Sequence, residues 1–318
     1  MKNIICCLLA ITLSLFLNTA WAKQNYEAER DRLIAMALID AQRKLEKEPI
    51  SEEKAIKEKG MGEFSFDSSA RYMPAGDVEN KIGQIEIIDQ SSKAAYEFKA
   101  FGKLPLEFSL GERYIGIDNT TMLELPSHLT AVSLGLEATL PFFNFENMYL
   151  RLGTQPSFYT DNWDFKTSSF RIPNYTYVIY RPNDVWTFIA GVAVTPDFET
   201  EVWPLLGFIY KPNDKLIFNL LPQRPNVTYR LNEKVSLFAE GGFSFLEFEV
   251  DKGGMQNVIL KYREIHLGAG ARLKINPFIQ LSISAGGMFG RRLEYRDNLG
   301  KAEIKSGLYS ELRLEISR

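Results

Sequence analysis

From Ile259 toward the C-terminus, apolar and polar side chains alternate over long stretches. The odd positions Ile265, Leu267, Ala269, Ala271, Leu273 and Ile275 are apolar, and the even positions Glu264, His266, Gly268, Gly270, Arg272 and Lys274 are polar or glycine. A period of two is that of a β-strand with two unlike faces. A soluble sandwich shares that period, so strand length has to discriminate. The runs last about fifteen to twenty residues, with tight turns at one end and longer loops at the other, which is the pattern of strands that cross a membrane as a barrel.

The turns carry a repeat. Arg181-Pro182-Asn183-Asp184-Val185-Trp186 returns as Lys211-Pro212-Asn213-Asp214-Lys215-Leu216, more loosely as Arg230-Leu231-Asn232-Glu233-Lys234-Val235, and more loosely still as Lys274-Ile275-Asn276-Pro277-Phe278-Ile279. Pro presets φ for a turn, and Asn or Asp bonds its own backbone there. Two strands separate successive copies, so all lie at one end of the sheet. The C-terminus lies there too, and in membrane barrels that end is the periplasmic one. Counting between turns predicts strands at 62–73, 82–101, 104–117, 129–140, 146–158, 167–181, 185–195, 203–211, 214–221, 225–231, 233–250, 257–275, 277–296 and 300–317. The fold class is therefore all-β, an antiparallel up-and-down transmembrane β-barrel of 14 strands. Reading the two short segments beside Pro222-Gln223-Arg224-Pro225 as irregular leaves twelve.

Composition agrees. Mean hydropathy is slightly polar at −0.16, as expected when only alternate residues meet lipid. Aromatic residues make up 13% of the chain, with 22 Phe and 14 Tyr available for interfacial girdles. Residues 1–22 read as a secretory signal peptide: Lys2 precedes the apolar run Ile4 to Leu17, and Ala20-Trp21-Ala22 offers a cleavage site. Cleavage removes Cys6 and Cys7, the only cysteines, and takes the formal charge from −3 to −4 through loss of Lys2. A charge of that sign without a basic cluster argues against nucleic acid as a partner.

Residues 23–60 differ from the strand-patterned remainder of the chain. Nine positive and nine negative side chains fall in this stretch. Ile34, Leu38, Ala41 and Leu45 mark a narrow helical stripe, which predicts a helix from Tyr26 to Glu48 stopped by Pro49. The segment is a periplasmic helical or partly disordered leader to the barrel of residues 61–318, or a plug in its mouth.

Parity assigns the faces. Outward go Val132, Leu134, Leu136, Leu140, Met148, Leu150, Leu152, Leu281, Ile283, Phe289, Leu308, Leu312, Leu314 and Ile316. Inward go Glu137, Arg151, Glu240, Glu264, His266, Arg272, Arg292, Glu294, Lys305, Glu311 and Arg313, which mix both signs. Closure requires the last strand to pair with the strand near Phe64, because an unpaired amide in hydrocarbon costs several kcal/mol.

The stretch from Tyr180-Arg181-Pro182-Asn183-Asp184 through Pro204-Leu205-Leu206-Gly207-Phe208 and Tyr210-Lys211-Pro212-Asn213-Asp214 to Pro225-Asn226-Val227-Thr228-Tyr229-Arg230 resembles a bacterial family of outer-membrane β-barrel proteins of unknown function. The likeness spans residues 180–242. It implies fold and an outer-membrane location only, and brings no catalytic residues. The apolar alternation of Leu312-Arg313-Leu314-Glu315-Ile316 in the last strand is of the kind that barrel-assembly machinery reads, which makes that machinery an expected partner.

Chemistry is sparse. His266 beside Glu264, with Ser282 and Ser284 on the next strand, suggests a Ser-His pair, and His128 after Asp118 suggests an outer-rim protease. For both, an ordinary structural histidine is the better reading. Asp197, Glu199 and Glu201 form an acidic loop cluster suited to a divalent cation or, through one, to lipopolysaccharide, though a solvated loop is favoured. Zinc spacing, nucleotide motifs and haem motifs are absent from the sequence, so no metal or cofactor is expected. Three functions remain: a channel or passive transporter of small solutes, a non-conducting structural or binding barrel plugged by the 26–48 helix, and, well behind them, a membrane hydrolase. The chain is not expected to be an enzyme, and its partners are expected to be outer-membrane lipid and lipopolysaccharide.

Overall fold

The computed structural model describes residues 62–318 apart from 101–103, 143–144, 146, 164, 197, 200 and 222–223. The expected signal peptide and the 26–48 helix lie outside the described residues. Everything described is strand, turn and loop, with two single 3-10 turns.

Fourteen strands make the wall. They are β1 (Glu63–Asp77), β2 (Gln84–Ala100), β3 (Leu104–Asn119), β4 (His128–Pro141), β5 (Met148–Thr154 and Ser157–Thr160), β6 (Phe170–Arg171 and Asn174–Tyr180) and β7 (Trp186–Val194). β8 (Val202–Tyr210), β9 (Leu216–Asn219), β10 (Asn226–Arg230), β11 (Val235–Lys252), β12 (Met255–Asn276), β13 (Ile279–Tyr295) and β14 (Lys301–Ile304 and Gly307–Ser317) complete it. The two short segments are regular, so the count is fourteen and not twelve. Each strand pairs antiparallel with the next. β14 returns to β1 in the register Ser65↔Ser317 to Tyr72↔Ser310, extended by the reciprocal bonds between Phe64 and Arg318 at 2.7 and 2.8 Å. The barrel is closed, and closure removes both sheet edges.

The repeated turns share one geometry. The Asn183 carboxamide oxygen accepts from the N–H groups of Val185 and Trp186, both at 3.0 Å. Asn213 does the same with Lys215 and Leu216, Asn232 with Lys234 and Val235, and Asn276 with Phe278 and Ile279, all at 2.8–3.0 Å. Two turn N–H donors are satisfied each time, the same service an N-cap residue gives a helix. By that analogy Asn213→Ala is expected to cost about 0.5–2 kcal/mol. The measurement is denaturant unfolding of the refolded barrel, and an unchanged midpoint would show that water replaces the side chain without loss.

The wall is not of even height. β9 and β10 hold four and five residues, whereas β11 and β12 hold 18 and 22. β10 accompanies β11 only to the pair Asn226↔Glu240 and the bond from the Gly241 N–H to the Pro225 carbonyl. Further up, β11 meets the upper part of β5 through the single parallel bridge Glu249↔Thr160. The outer end is thus ringed by nine strands, β1 to β5 and β11 to β14, with β6 to β10 forming a lower lobe on one side.

Two faces exchange chemistry along the tall strands. On β12 the outward positions read Leu273, Leu267 and Ile265, then Arg263 and Lys261, while the inward ones read His266 and Glu264, then Tyr262 and Leu260. In the lower part the apolar set is outward, with Ile283 and Leu308 exposed by 63% and 71%. At the outer end it turns inward, as it must where a wall stands in water on its outside and encloses a core.

Candidate functional site in the barrel lumen

The exchange of faces divides the lumen into regions of different chemistry, three in all. The outer end holds an apolar cap. Met73 of β1, Ile85 and Ile87 of β2, Ile115 of β3, Leu129 of β4, Leu246 and Phe248 of β11, Leu260 and Tyr262 of β12 and Leu293 of β13 are all without solvent exposure and belong to one cluster. Tyr159 of β5 stands edge-on to both Phe248 and Phe198, at 6.0 and 5.7 Å between ring centres. The side chains come from every side of the ring, so this cap spans the lumen.

Beneath it lies a layer of buried ion pairs. Arg71 donates through Nε to Glu311 at 2.8 Å and through Nη1 to Glu264 at 2.7 Å. Arg113 donates to Asp89 at 2.6 Å. Arg224 reaches in from the β9–β10 loop to Glu240 at 2.6 Å and Glu311 at 3.2 Å. Tyr262 donates to Glu264, and Ser284 donates to Glu240 at 3.1 Å. The four acids Asp89, Glu240, Glu264 and Glu311 face the four guanidinium groups of Arg71, Arg113, Arg224 and Arg313. This near-neutral arrangement is what makes dense charge burial tolerable.

The lobe contains the third region, a second apolar cluster of Tyr175, Tyr177, Ile179, Ile189, Leu205, Ile209 and Ile217 with Trp203 against it. Arg151 is buried at its edge, 3.2 Å from Glu137 and 3.0 Å from the Thr139 hydroxyl.

Of the sequence-selected lumen residues, Glu240, Glu264, His266 and Glu311 meet in the ion-pair layer, and Arg313 joins through Glu311. Arg272 sits lower, 3.4 Å from the Ser282 hydroxyl. Arg151 belongs to the lobe. Pro182, Asn183, Asp184, Pro212, Asn213 and Asp214 sit at the turn end, with the two Asn side chains holding their turns. Strict alternation puts Arg292 and Glu294 in the lumen, and the structure does not. Gly290, at φ 58°, makes a bulge that reverses the faces beyond it. Arg291 and Leu293 turn inward, and Arg292 sits outside, paired with Glu294 at 3.4 Å and with Glu303. Lys305 is likewise displaced by the interruption of β14, and pairs with Asp77 at the exposed rim at 3.2 Å.

The hydrolase constellations do not assemble. The His266 ring nitrogens lie 3.4 and 3.5 Å from the Arg71 guanidinium, and Ser282 and Ser284 bond elsewhere. His128 stacks on Tyr114 and is 3.2 Å from the Ser127 hydroxyl. Of the acidic loop cluster, Asp197 lies outside the described residues; Glu199 is engaged by Lys261 and, at 3.6 Å, by Arg263, and among the described residues no acidic group has the grouping of a metal site. In the outer loops, burial pushes the Asp161 carboxyl above the usual carboxylate range, although the Asp251 N–H donates to it at 3.1 Å. Arg71, Asp89, Arg113, Arg224 and Tyr262 carry the layer and are not singled out by alternation. Arg224 is in a loop, and Arg71 comes after Ser68-Ser69-Ala70, where the two faces look alike.

A family model described as a domain of unknown function (DUF6268) matches residues 107–313. No curated protein shows a significant match. Among solved structures, an outer membrane channel from Pseudomonas putida F1 is similar at 10% identity and a TM-score of 0.46, over 82% of this chain and 97% of that one. A Pseudomonas aeruginosa FadL homologue is similar at 11% identity and a TM-score of 0.41, over 80% and 89%. LpxR from Salmonella typhimurium is similar at 10% and 0.38, over 79% and 99%. At such identities and scores the likeness carries no functional inference.

Proposed function

We propose, for a chain that belongs to the family described as domain of unknown function DUF6268, a role as an outer-membrane barrel that is closed to flow along its axis and acts as a binding or structural element. The closed sheet and its apolar outward belt support a place in a bilayer, and the expected signal peptide supports export to the outer membrane. One observation carries the closed reading. The cap at the outer end is built from fully buried apolar residues contributed by strands all around the ring. A water-filled channel at that level would leave those side chains wetted. The closure comes from the wall itself and so does not depend on residues 23–60.

A second reading, a channel that opens only when the cap moves, is favoured by the lower lumen. Arg272, Gln280, Arg313 and Glu315 are partly exposed there and give that half a polar lining toward the turn end. Both readings predict that the refolded full-length mature chain gives no steady conductance in planar bilayers, and that deleting residues 23–60 changes nothing. Steady conductance from the unmodified protein would overturn the closed reading. Conductance appearing only on deletion would transfer the closure to the N-terminal segment.

A further inference from the structure

The bulge at Gly290 opens the wall. The β12–β13 ladder is interrupted between Arg263 and Ile265, and β14 breaks between Ile304 and Gly307 alongside. A cavity of about 420 Å³ occupies the gap, bordered by Phe245, Arg263, Ile265, Arg291, Arg292 and Glu303. It lies where the outward face changes from Phe289 and Ile265 to Arg263 and Arg292, at the upper margin of the apolar belt, the level of lipid headgroups.

Arg291 is the unusual member. It is 1% exposed, donates through Nη2 to the Lys305 carbonyl at 2.6 Å, and has no partner for Nε or Nη1. Among the described residues no carboxylate lies within ion-pair distance of it. The slot is shaped for this side chain: a methyl group on Gly76 would collide with its Nη2, and one on Gly307 would come within 2.8 Å. Three acids also border the cavity. Glu264 is held by Arg71 and Tyr262, Glu303 by Arg292 and Lys301, and Glu79 is exposed at the rim. Buried unpaired guanidinium donors are costly, and a phosphate oxyanion is an acceptor strong enough to take a charge-assisted hydrogen bond from one of them.

We infer that the Gly290 gap is a binding site for the phosphate of a membrane lipid, with Arg291 as the principal donor, Arg263 and Arg292 beside it, and an acyl chain along Phe245 and Ile265. The apolar border, continuous with the belt, is the reason to assign the oxyanion to a lipid and not to free phosphate. The inference rests on the outer-membrane reading, in which the lipid of that leaflet is a phosphorylated glycolipid.

The test is native mass spectrometry of the full mature chain refolded in detergent, with bis-phosphorylated lipid A, dephosphorylated lipid A or inorganic phosphate added. Arg291→Met is compared with the unmodified protein and with Lys274→Met, a control at the turn end. Loss of a charge-assisted hydrogen bond is expected to weaken lipid A binding roughly ten- to hundred-fold in Arg291→Met. The control and the unmodified protein should bind alike, and dephosphorylated lipid should bind as weakly as it does to the variant. If Arg291→Met does not refold, Arg291→Lys keeps the charge but not the fixed direction of the guanidinium donors and is expected to bind roughly several-fold more weakly than the unmodified protein. Equal binding by variant and unmodified protein, equal binding of the dephosphorylated lipid, or full competition by millimolar inorganic phosphate would each overturn the lipid assignment. Failure to show heat-modifiable gel migration counts against the barrel reading itself, whereas a sound barrel indifferent to the phosphate counts only against this site.

Discussion

Arg71→Met is expected to cost the barrel about 3–5 kcal/mol, because it leaves the buried Glu264 carboxylate without a guanidinium partner and takes from Glu311 one of its three, Arg224 and Arg313 remaining. The guanidinium reaches from β1 to Glu311 of the adjacent β14 and to Glu264 of β12, and its side chain is 11% exposed while its partners are 0% and 2% exposed. An exposed pair would be worth a fraction of this. Here the removed charge leaves an anion that water cannot readily reach, and the loss is mostly the price of that desolvation. Adding Glu264→Gln to Arg71→Met should therefore restore part of the stability, whereas adding Glu311→Gln should not, because Arg224 and Arg313 still use that carboxylate. Denaturant unfolding, read by the loss of the compact form on unheated gels, measures both. A loss below about 1 kcal/mol would mean that water enters the layer freely, and would also weaken the case for a sealed lumen.

The second large effect concerns the cap. Phe248→Ala removes a fully buried ring in contact with Tyr159, and a loss of about 3–5 kcal/mol is expected. Combining it with Leu260→Ala and Met288→Ala, both from 0%-exposed cap positions, should do more than destabilise. The cap is the apolar barrier between the polar lower lumen and the outside, so the triple variant is expected to show conductance where the unmodified protein shows none. A folded triple variant that stays silent in planar bilayers would place the barrier in the ion-pair layer instead.

Much of this architecture is legible in the sequence, for reasons that are local. Alternation over long runs marks strands, Asn at a fixed turn position marks hairpins, and closure comes from the cost of an open edge in lipid. The pairing of Phe66 with Ile316 is an instance. The lumen is less legible. Parity tells which residues share a face, but not that the environment of that face changes along the strand. Leu260 and Tyr262 are inward for the same parity reason as Glu264 and His266, yet they belong to a core and not to a polar lining. The inner apolar residues are therefore invisible to a reading that expects every inner position to be polar. Bulges are hidden for a different reason. Gly286, Gly287 and Gly290 lie close together on β13, and only Gly290 takes positive φ. Nothing in the spacing distinguishes it, and every face assignment after it is reversed.

The uneven height of the wall has a consequence for the surrounding bilayer. Strands of four and five residues at ~3.3 Å per residue, tilted ~40°, cover roughly 10–13 Å along the membrane normal, against an apolar band ~25 Å tall in barrels of this class. Acyl chains beside β9 and β10 thus meet a hydrophobic mismatch that those beside β11 to β13 do not. The leaflet must thin on that flank or fill it with shorter chains, at a fraction of a kcal/mol per ångström. One side of the cylinder becomes a standing defect in lipid order, and neighbouring proteins with short spans would collect there.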